Sequence, residues 1–446
     1  MGKILFLFIV WAASNYPQDS HYWNIQYGTK ATLLGGAVIG SVSDLSATFY
    51  NPGAVSLFED PKLILSDKVY QFEQITVVNG AGESKDLDYS SISPAPTFVA
   101  FTINIDSTGR NKLAFSVLTR QSMNFEFEKR QIGADDMEAL SSSFEAGGLY
   151  MQQKLDEIWG GCTFSHKLSE VVGLGITAYV AYRNQTTKFQ TIIEGLDSIN
   201  QISSSLAFRN LYFNNYRVLF KTGLGVNLNP ITFGLTLTTP SINLLGSGSY
   251  GYHNFSNNPD DPGQNVYQSN YQDELESKYN TSWAIGFGSA YWGKKFSVHF
   301  SAEWYEAVKK YNPLSLAPFY SQSSGETFTE EIIQQLSSIV NAGIGIDYKL
   351  NDKVSFAGGF ITDFSANDIN EKGNISLSRW DIYHISGGSS FKIGNSEVTL
   401  GFSYSFGSDV IRQIADIGNP DAGADNVNAA ADVKFTKIKF MFGFIL

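Results

Sequence analysis

Cys162 is the only cysteine in 446 residues, so the chain holds no internal disulfide framework and no multi-cysteine metal site. Charge is scarce as well: Asp, Glu, Lys and Arg make up 17%, against about 25% in an ordinary soluble domain. The charge present is acidic on balance, at −12, without the basic surface that phosphates require, which excludes nucleic acid as a partner. After the first residues no apolar run reaches the roughly 18 residues that a membrane-crossing helix needs. Such a chain enters a bilayer only as a closed barrel.

Aromatic residues, at 14%, and 41 glycines are plentiful instead, a composition of many strands in which one face need not meet water. The N-terminus reads as an export signal over residues 1–17. Lys3 precedes the apolar run Ile4–Ala13, which is too short to span a bilayer, and the cut is expected between Ala13 and Gln18.

From Lys62 onward, alternation with a period of two dominates. Val218, Phe220, Thr222, Leu224, Val226 and Leu228 alternate with Arg217, Leu219, Lys221, Gly223, Gly225 and Asn227. Phe296, Val298, Phe300, Ala302 and Trp304 alternate with Lys295, Ser297, His299, Ser301 and Glu303, and the pattern recurs from Ala342 and from Val398. Each segment therefore has an apolar face and a polar or small one. Some runs exceed the length of soluble strands, and aromatics gather near strand ends, as at Tyr291-Trp292 and Trp304-Tyr305. Tight turns such as Leu350–Lys353 contrast with long polar connections near 246–279, 311–338 and 407–432, the division between periplasmic turns and extracellular loops. Ile438, Phe440, Phe442, Phe444 and Leu446 form one face of a last, closing strand. These features predict an all-β, transmembrane antiparallel barrel of about fourteen strands over residues 62–446.

Residues 18–61 differ. They are rich in Gly and Ala and lack alternation, with Ser43-Asp44 as a candidate helix cap and Tyr50-Asn51-Pro52-Gly53 as a turn. Composition leaves open a luminal plug or a periplasmic extension. The run Asp44–Ala54 (DLSATFYNPGA) resembles the hatch of the FadL/TodX-type outer-membrane transporters of long-chain fatty acids and aromatic hydrocarbons. Further similarities, in order along the chain, are Phe233–Pro240, the segment from Ala342 to Phe360, and that from His384 to Tyr404. Gly53 departs from the alanine usual in that family.

The resemblance implies a barrel plugged by an N-terminal hatch, with Asp44, Ala47, Asn51, Pro52 and Gly53 in hatch gating. It also implies ligand capture among extracellular loops and exit past the hatch, in some members sideways through the wall. Two apolar loop segments are the capture candidates: Leu314, Leu316, Phe319 and Tyr320, and Ile332 and Ile333 in an expected short helix over residues 329–340. The expected function is passive uptake of hydrophobic small molecules across the bacterial outer membrane. Its partners would be that ligand, outer-membrane lipid and the barrel-assembly machinery, with no cofactor and no metal. The alternatives are a surface adhesin or structural barrel with a permanent plug, and a barrel hydrolase using His299 or His384. The acidic loop 257–274 lacks the ligand spacing of a dedicated calcium loop.

Overall fold

The computed structural model describes residues 20–58, 63–94, 98–132, 146–196, 201–259, 262–367, 378–394, 396–415, 417 and 429–445. The expected signal segment, 1–17, lies outside them, as do Asp260 and Asp261 of the acidic loop.

Fourteen staves form the wall: β1 Leu63–Val78, β2 Leu87–Ser93 with Phe98–Asn104, β3 Asn111–Ile132, β4 Ala146–Ser169 and β5 Val172–Leu196. They continue with β6 Ile202–Leu228, β7 Ile231–Thr238 with Ile242–Asn257, β8 Val266–Glu276 with Ala284–Trp292, and β9 Phe296–Tyr305. The last five are β10 Ile339–Lys349, β11 Val354–Asp363, β12 Ile382–Ile393, β13 Ser396–Arg412 and β14 Ala430–Ile445. Neighbours pair antiparallel throughout, and β14 pairs with β13 on one side and β1 on the other, so the sheet closes on itself. Closure removes the free edge that hydrocarbon would not tolerate.

The alternation sorts as the sequence requires. Ile346, Phe360, Phe402 and Phe440 face outward and are exposed, whereas Ser301, Asn341, Ser403 and Lys439 face inward and are buried. Heights are unequal. β3 to β6 hold 22, 24, 25 and 27 residues, and β9 to β11 only 10, 11 and 10. At roughly 3.3 Å per residue, β6 is about 90 Å long, far beyond an apolar band of about 25 Å. One side of the barrel therefore stands well above the membrane.

Two sequence expectations are corrected here. The stretch 246–279, read as a long loop, forms the upper parts of β7 and β8, paired from Val266↔Ser256 to Glu276↔Ser247. Above the membrane the outer face meets water, so polar residues such as Ser247, Ser249 and Ser269 occupy it and the apolar alternation fades without the strand ending. The helix expected over 329–340 is extended chain: Gln334–Leu336 pairs with Val308–Tyr311, and β10 starts at Ile339. Ile332, Gln334 and Leu336 are buried while Ile333 and Gln335 are half-buried, a two-residue period that overrides the capping-box spacing.

Inside the barrel, residues 20–58 form a plug with two short helices, α1 Thr29–Leu33 and α2 Ala47–Tyr50, and a 3₁₀ turn Pro52–Ser56. Tyr27, Leu34, Leu45 and Val55 of the plug share one buried cluster with Phe98, Trp159 and Leu219 of the wall.

A charge on the outward face should separate this barrel from a soluble one. Phe402→Arg is expected to cost about 2–4 kcal/mol when the protein folds into lipid vesicles, and Phe402→Leu less than about 1.5 kcal/mol. Equal denaturant midpoints for the two variants would contradict the lipid-facing assignment.

Candidate functional site

The plug rests on glycines. Gly175 and Gly223 lie against Pro52, Gly288 against the Gly40 amide, Gly359 against Leu34 and Gly35, Gly401 against Leu33, and Gly443 against Thr29. All are on the inward faces of their staves, where any side chain would hold the plug backbone away. Asn51 is the main fastening. Its Oδ1 accepts from the Gly53 amide at 3.1 Å, and its Nδ2 donates to the carbonyls of Ile39 and, on β6, Leu224, both at 3.0 Å. Further pins are Lys30–Asp347 at 2.8 Å, Ser41–His299 at 2.7 Å, and the Thr177 and Tyr179 hydroxyls donating to the Thr48 carbonyl.

Asp44 and Ala47 are buried in the same body. The Asp44 carboxylate accepts from the amide and hydroxyl of Ser46 at 2.8 and 2.5 Å, turning the chain into α2 from two residues before the helix's own cap position. Burial raises its pKa, and the two Ser46 bonds oppose that rise. Gly53 explains its departure from alanine: a Cβ there would lie 2.5 Å from the Gly223 oxygen and 2.7 Å from that of Gly173.

The upper end of the plug is tied separately. The amides of Tyr22 and Trp23 donate to Asp363 at 3.0 and 2.8 Å, Lys439 donates to the Asn24 carbonyl, and Tyr22 stacks on Tyr305 at 3.9 Å. Ser405, His384 and Asp363 stand in line, with 2.7 Å from His384 Nδ1 to the Ser405 hydroxyl and 3.6 Å from Nε2 to Asp363. Ser405 is fully buried and Asp363 holds the plug backbone, so the row serves as a fastening. His299 likewise fastens the plug through Ser41. Among the described residues no cluster of metal-ligating side chains occurs.

Above the plug lies a cavity of about 60 Å³ lined by Phe49, Arg120, Glu157, Trp159, Lys221 and Glu303, among others. Glu157 bridges Arg183 at 2.9 Å and Arg217 at 2.5 Å, and Glu303 lies 3.4 Å from Lys221. Arg120 lies over the rings of Phe49 and Trp159, and its buried Nη1 has no hydrogen-bond partner. Arg120 and Lys221 thus share the chamber with two carboxylates and five aromatic rings, and Arg183 and Arg217 pair with Glu157 at its edge. No motif marks these residues in the sequence, although Arg217, Lys221 and Glu303 occupy the polar phase of strands whose alternation is plain there. A charge on the luminal phase of a membrane strand is the signal that would have found them.

Two apolar clusters close the mouth. One joins Leu314 and Ile332 with Phe213, Tyr250, Tyr252 and Tyr279, with Leu316 and Phe319 packed against it. Of the six capture candidates the fold gathers those four; Ile333 is half-buried, and Tyr320 stands exposed on the surface. The other cluster, with Phe125, Phe127, Leu149 and Trp380, is covered by residues 413–417, whose amides at Ile414, Ala415 and Ile417 donate to the carbonyls of Gly80 and Ala81.

Beside this second cluster the wall is interrupted. The lower segment of β2 pairs with both β1 and β3, ending at Phe98↔Leu118. The upper segment, Leu87–Ser93, pairs with β1 only, and Thr119–Ile132 of β3 pair only with β4. Pro94 and Pro96 lie between the segments, and a β-bulge between Thr119 and Gln121 places Arg120 and Gln121 both inward at the lower end of the interruption. The Tyr89 hydroxyl donates across it to the Asn124 carbonyl.

These features define a plugged membrane barrel with an apolar mouth and a polar-floored chamber. No family model matches the chain, and no curated protein matches it in sequence. Solved structures do match. A Pseudomonas aeruginosa FadL homologue aligns with TM-score 0.62 at 14% identity, over 95% of this chain and 99% of that one. The P. putida toluene transporter TodX aligns at 0.60 and 12%, over 94% and 98%. The Ralstonia pickettii toluene transporter TbuX aligns at 0.53 and 12%, over the same shares. The chain has the fold of these FadL/TodX-type barrels.

Loosening the seat should leave the barrel standing. Asn51→Ala and Gly53→Ala are each expected to keep the folded barrel's heat-modifiable migration in gels while raising single-channel conductance in planar bilayers several-fold. Wild-type conductance in both variants would show that neither residue holds the plug.

Proposed function

We propose that the protein is an outer-membrane channel for passive uptake of hydrophobic small molecules. The observation that carries this reading is a chamber of aromatic rings and paired charges lying between an apolar mouth and a seated plug, beside an interrupted wall. A ligand captured at the mouth, by Leu314, Leu316, Phe319 and Ile332 among others, exchanges one apolar surround for the next without crossing open water. Asp44, Ala47, Asn51, Pro52 and Gly53 then act in gating, as parts of a plug fastened to the wall by discrete polar bonds. The wall interruption at β2 and β3 offers a sideways exit into lipid, where an apolar solute is more stable than in an aqueous lumen. No energy source is needed, because transfer follows partition.

The chamber's charge favours a long-chain fatty acid over an uncharged aromatic hydrocarbon. A buried guanidinium with an unpartnered nitrogen is costly alone and favourable beside a carboxylate. The solved relatives are described both as a FadL homologue and as toluene transporters, so the finer choice rests on Arg120 and its neighbours.

The test is uptake of labelled oleate by a Gram-negative host lacking its own transporter. Expression of the protein should raise uptake, and Arg120→Met should lower it roughly ten- to hundred-fold, the worth of a hydrogen bond to a charged group (about 1.5–3 kcal/mol). Toluene entry should change little in that variant. No gain in oleate or toluene uptake from a correctly inserted barrel would overturn the transport reading and favour the permanent-plug adhesin.

A further inference from the structure

The wall is interrupted a second time, five staves further round. Between β7 and β8 the ladder runs from Tyr291↔Ile231 up to Ala284↔Thr238 and resumes at Glu276↔Ser247. In between, the Ser277 amide donates to the Gly246 carbonyl at 3.3 Å, residues 239–245 and 278–283 share no ladder pair, and Pro240 brings no amide hydrogen to one. β7 stays joined to β6 here, through Val218↔Ile242, Arg217↔Asn243 and Tyr216↔Leu245, so the discontinuity is confined to the β7–β8 seam.

Side chains close the seam in place of the ladder. The Ser241 amide donates to the Thr281 hydroxyl at 2.8 Å, and the Ser241 hydroxyl to the Tyr279 carbonyl at 3.1 Å. Asn243 accepts from the Tyr279 amide at 2.8 Å and donates to Asn280 at 3.2 Å. Unpaired peptide groups are costly within hydrocarbon, which accounts for this density of Ser, Thr and Asn at one seam. Bonds of this kind break by a change of rotamer at one residue, whereas opening a ladder separates consecutive backbone pairs together.

The two sides of the seam differ chemically. Outside, Ile242, Leu244, Leu245 and Trp283 are exposed at 61, 57, 63 and 40%. Inside, Tyr279, Thr281 and Ser282 line the same chamber as Arg120 and Glu157. Tyr279 also belongs to the mouth cluster with Leu314 and Ile332, and the guanidiniums of Arg183 and Arg217 lie 4.0 and 4.6 Å from the centre of its ring. The seam starts above the eight residues of lower β7. At about 3.4 Å each and a tilt near 40° these rise roughly 20 Å, which sets the seam near the outer edge of the apolar band.

We infer that residues 239–245 and 278–283 form a second lateral port, through which the apolar chain of a bound amphiphile passes between the chamber and the outer leaflet. This rests on the transport reading above and adds a route to it. Each mouth cluster then has its own opening in the wall: the Phe125 cluster at β2–β3 and the Tyr279 cluster at β7–β8. The anionic head stays with the Arg120 side of the chamber while the chain moves past Ser241 and Thr281.

The Ser241–Thr281 hydrogen bond sets their backbones within disulfide reach. In a Cys162→Ala background, Ser241→Cys with Thr281→Cys should take up oleate at least five-fold more slowly when oxidised than the same protein does when reduced. Equal rates in the two redox states would overturn the port. A second measurement uses the unmodified protein in phospholipid vesicles carrying a fatty acid with a mid-chain diazirine. Photolysis should label Tyr279 or Ser282, and label confined to outward residues such as Leu244 and Trp283 would overturn the port even where the paired cysteines block assembly. Absence of oleate uptake by the wild type would count against the transport reading, and the photolabel would still decide the port.

Discussion

Every peptide group of this chain that lies at membrane depth must find a partner within the protein, because hydrocarbon offers none. The closed ladder from β1 round to β14 is the direct answer to that demand, and the remaining features are arranged around it. Where the ladder is whole, side chains are free to be apolar outside and polar inside. Where it is interrupted, other groups must take over: the Tyr89 hydroxyl at one place, and Ser241, Asn243 and Thr281 at another. The interruptions lie on either side of the chamber, where a hydrophobic solute would need them.

The chamber reconciles two opposing requirements. Aromatic and aliphatic walls hold an apolar molecule, yet the same walls bury Arg120, Arg183, Arg217 and Lys221. Glu157 and Glu303 neutralise part of that charge, and the stacked faces of Phe49, Trp159 and Tyr279 accommodate more of it. The remaining positive charge is the ground of the proposed preference for an anionic amphiphile.

Much of the architecture was legible in the sequence because it depends on a local period. Alternation through Val218–Leu228 and Phe296–Trp304 identified the staves and their inward faces, and Asn51-Pro52 marked the turn on which the plug sits. The hairpin at 246–279 was misread because its outer face leaves the lipid and loses its apolar half. The stretch 329–340 was misread because two adjacent isoleucines fit helical spacing as well as strand spacing. The chamber was not legible, since Arg120, Glu157 and Lys221 converge from three different staves with long stretches of chain between them. Pro94, Pro96 and Pro240 were visible signs of an interrupted ladder, although only the pairing of each neighbour shows whether the wall yields there.

The glycines beneath the plug have a mechanical consequence. Side chains that interlock resist sliding, because each must climb out of a hole before the surfaces can shift. At Gly173, Gly175, Gly288 and Gly359 backbone meets backbone across a nearly smooth surface. Resistance to displacement is then concentrated in discrete catches, at Asn51, Lys30 and Ser41, and friction between them is low. Such a plug resembles a piston in a polished bore, held where it is by the catches that are engaged.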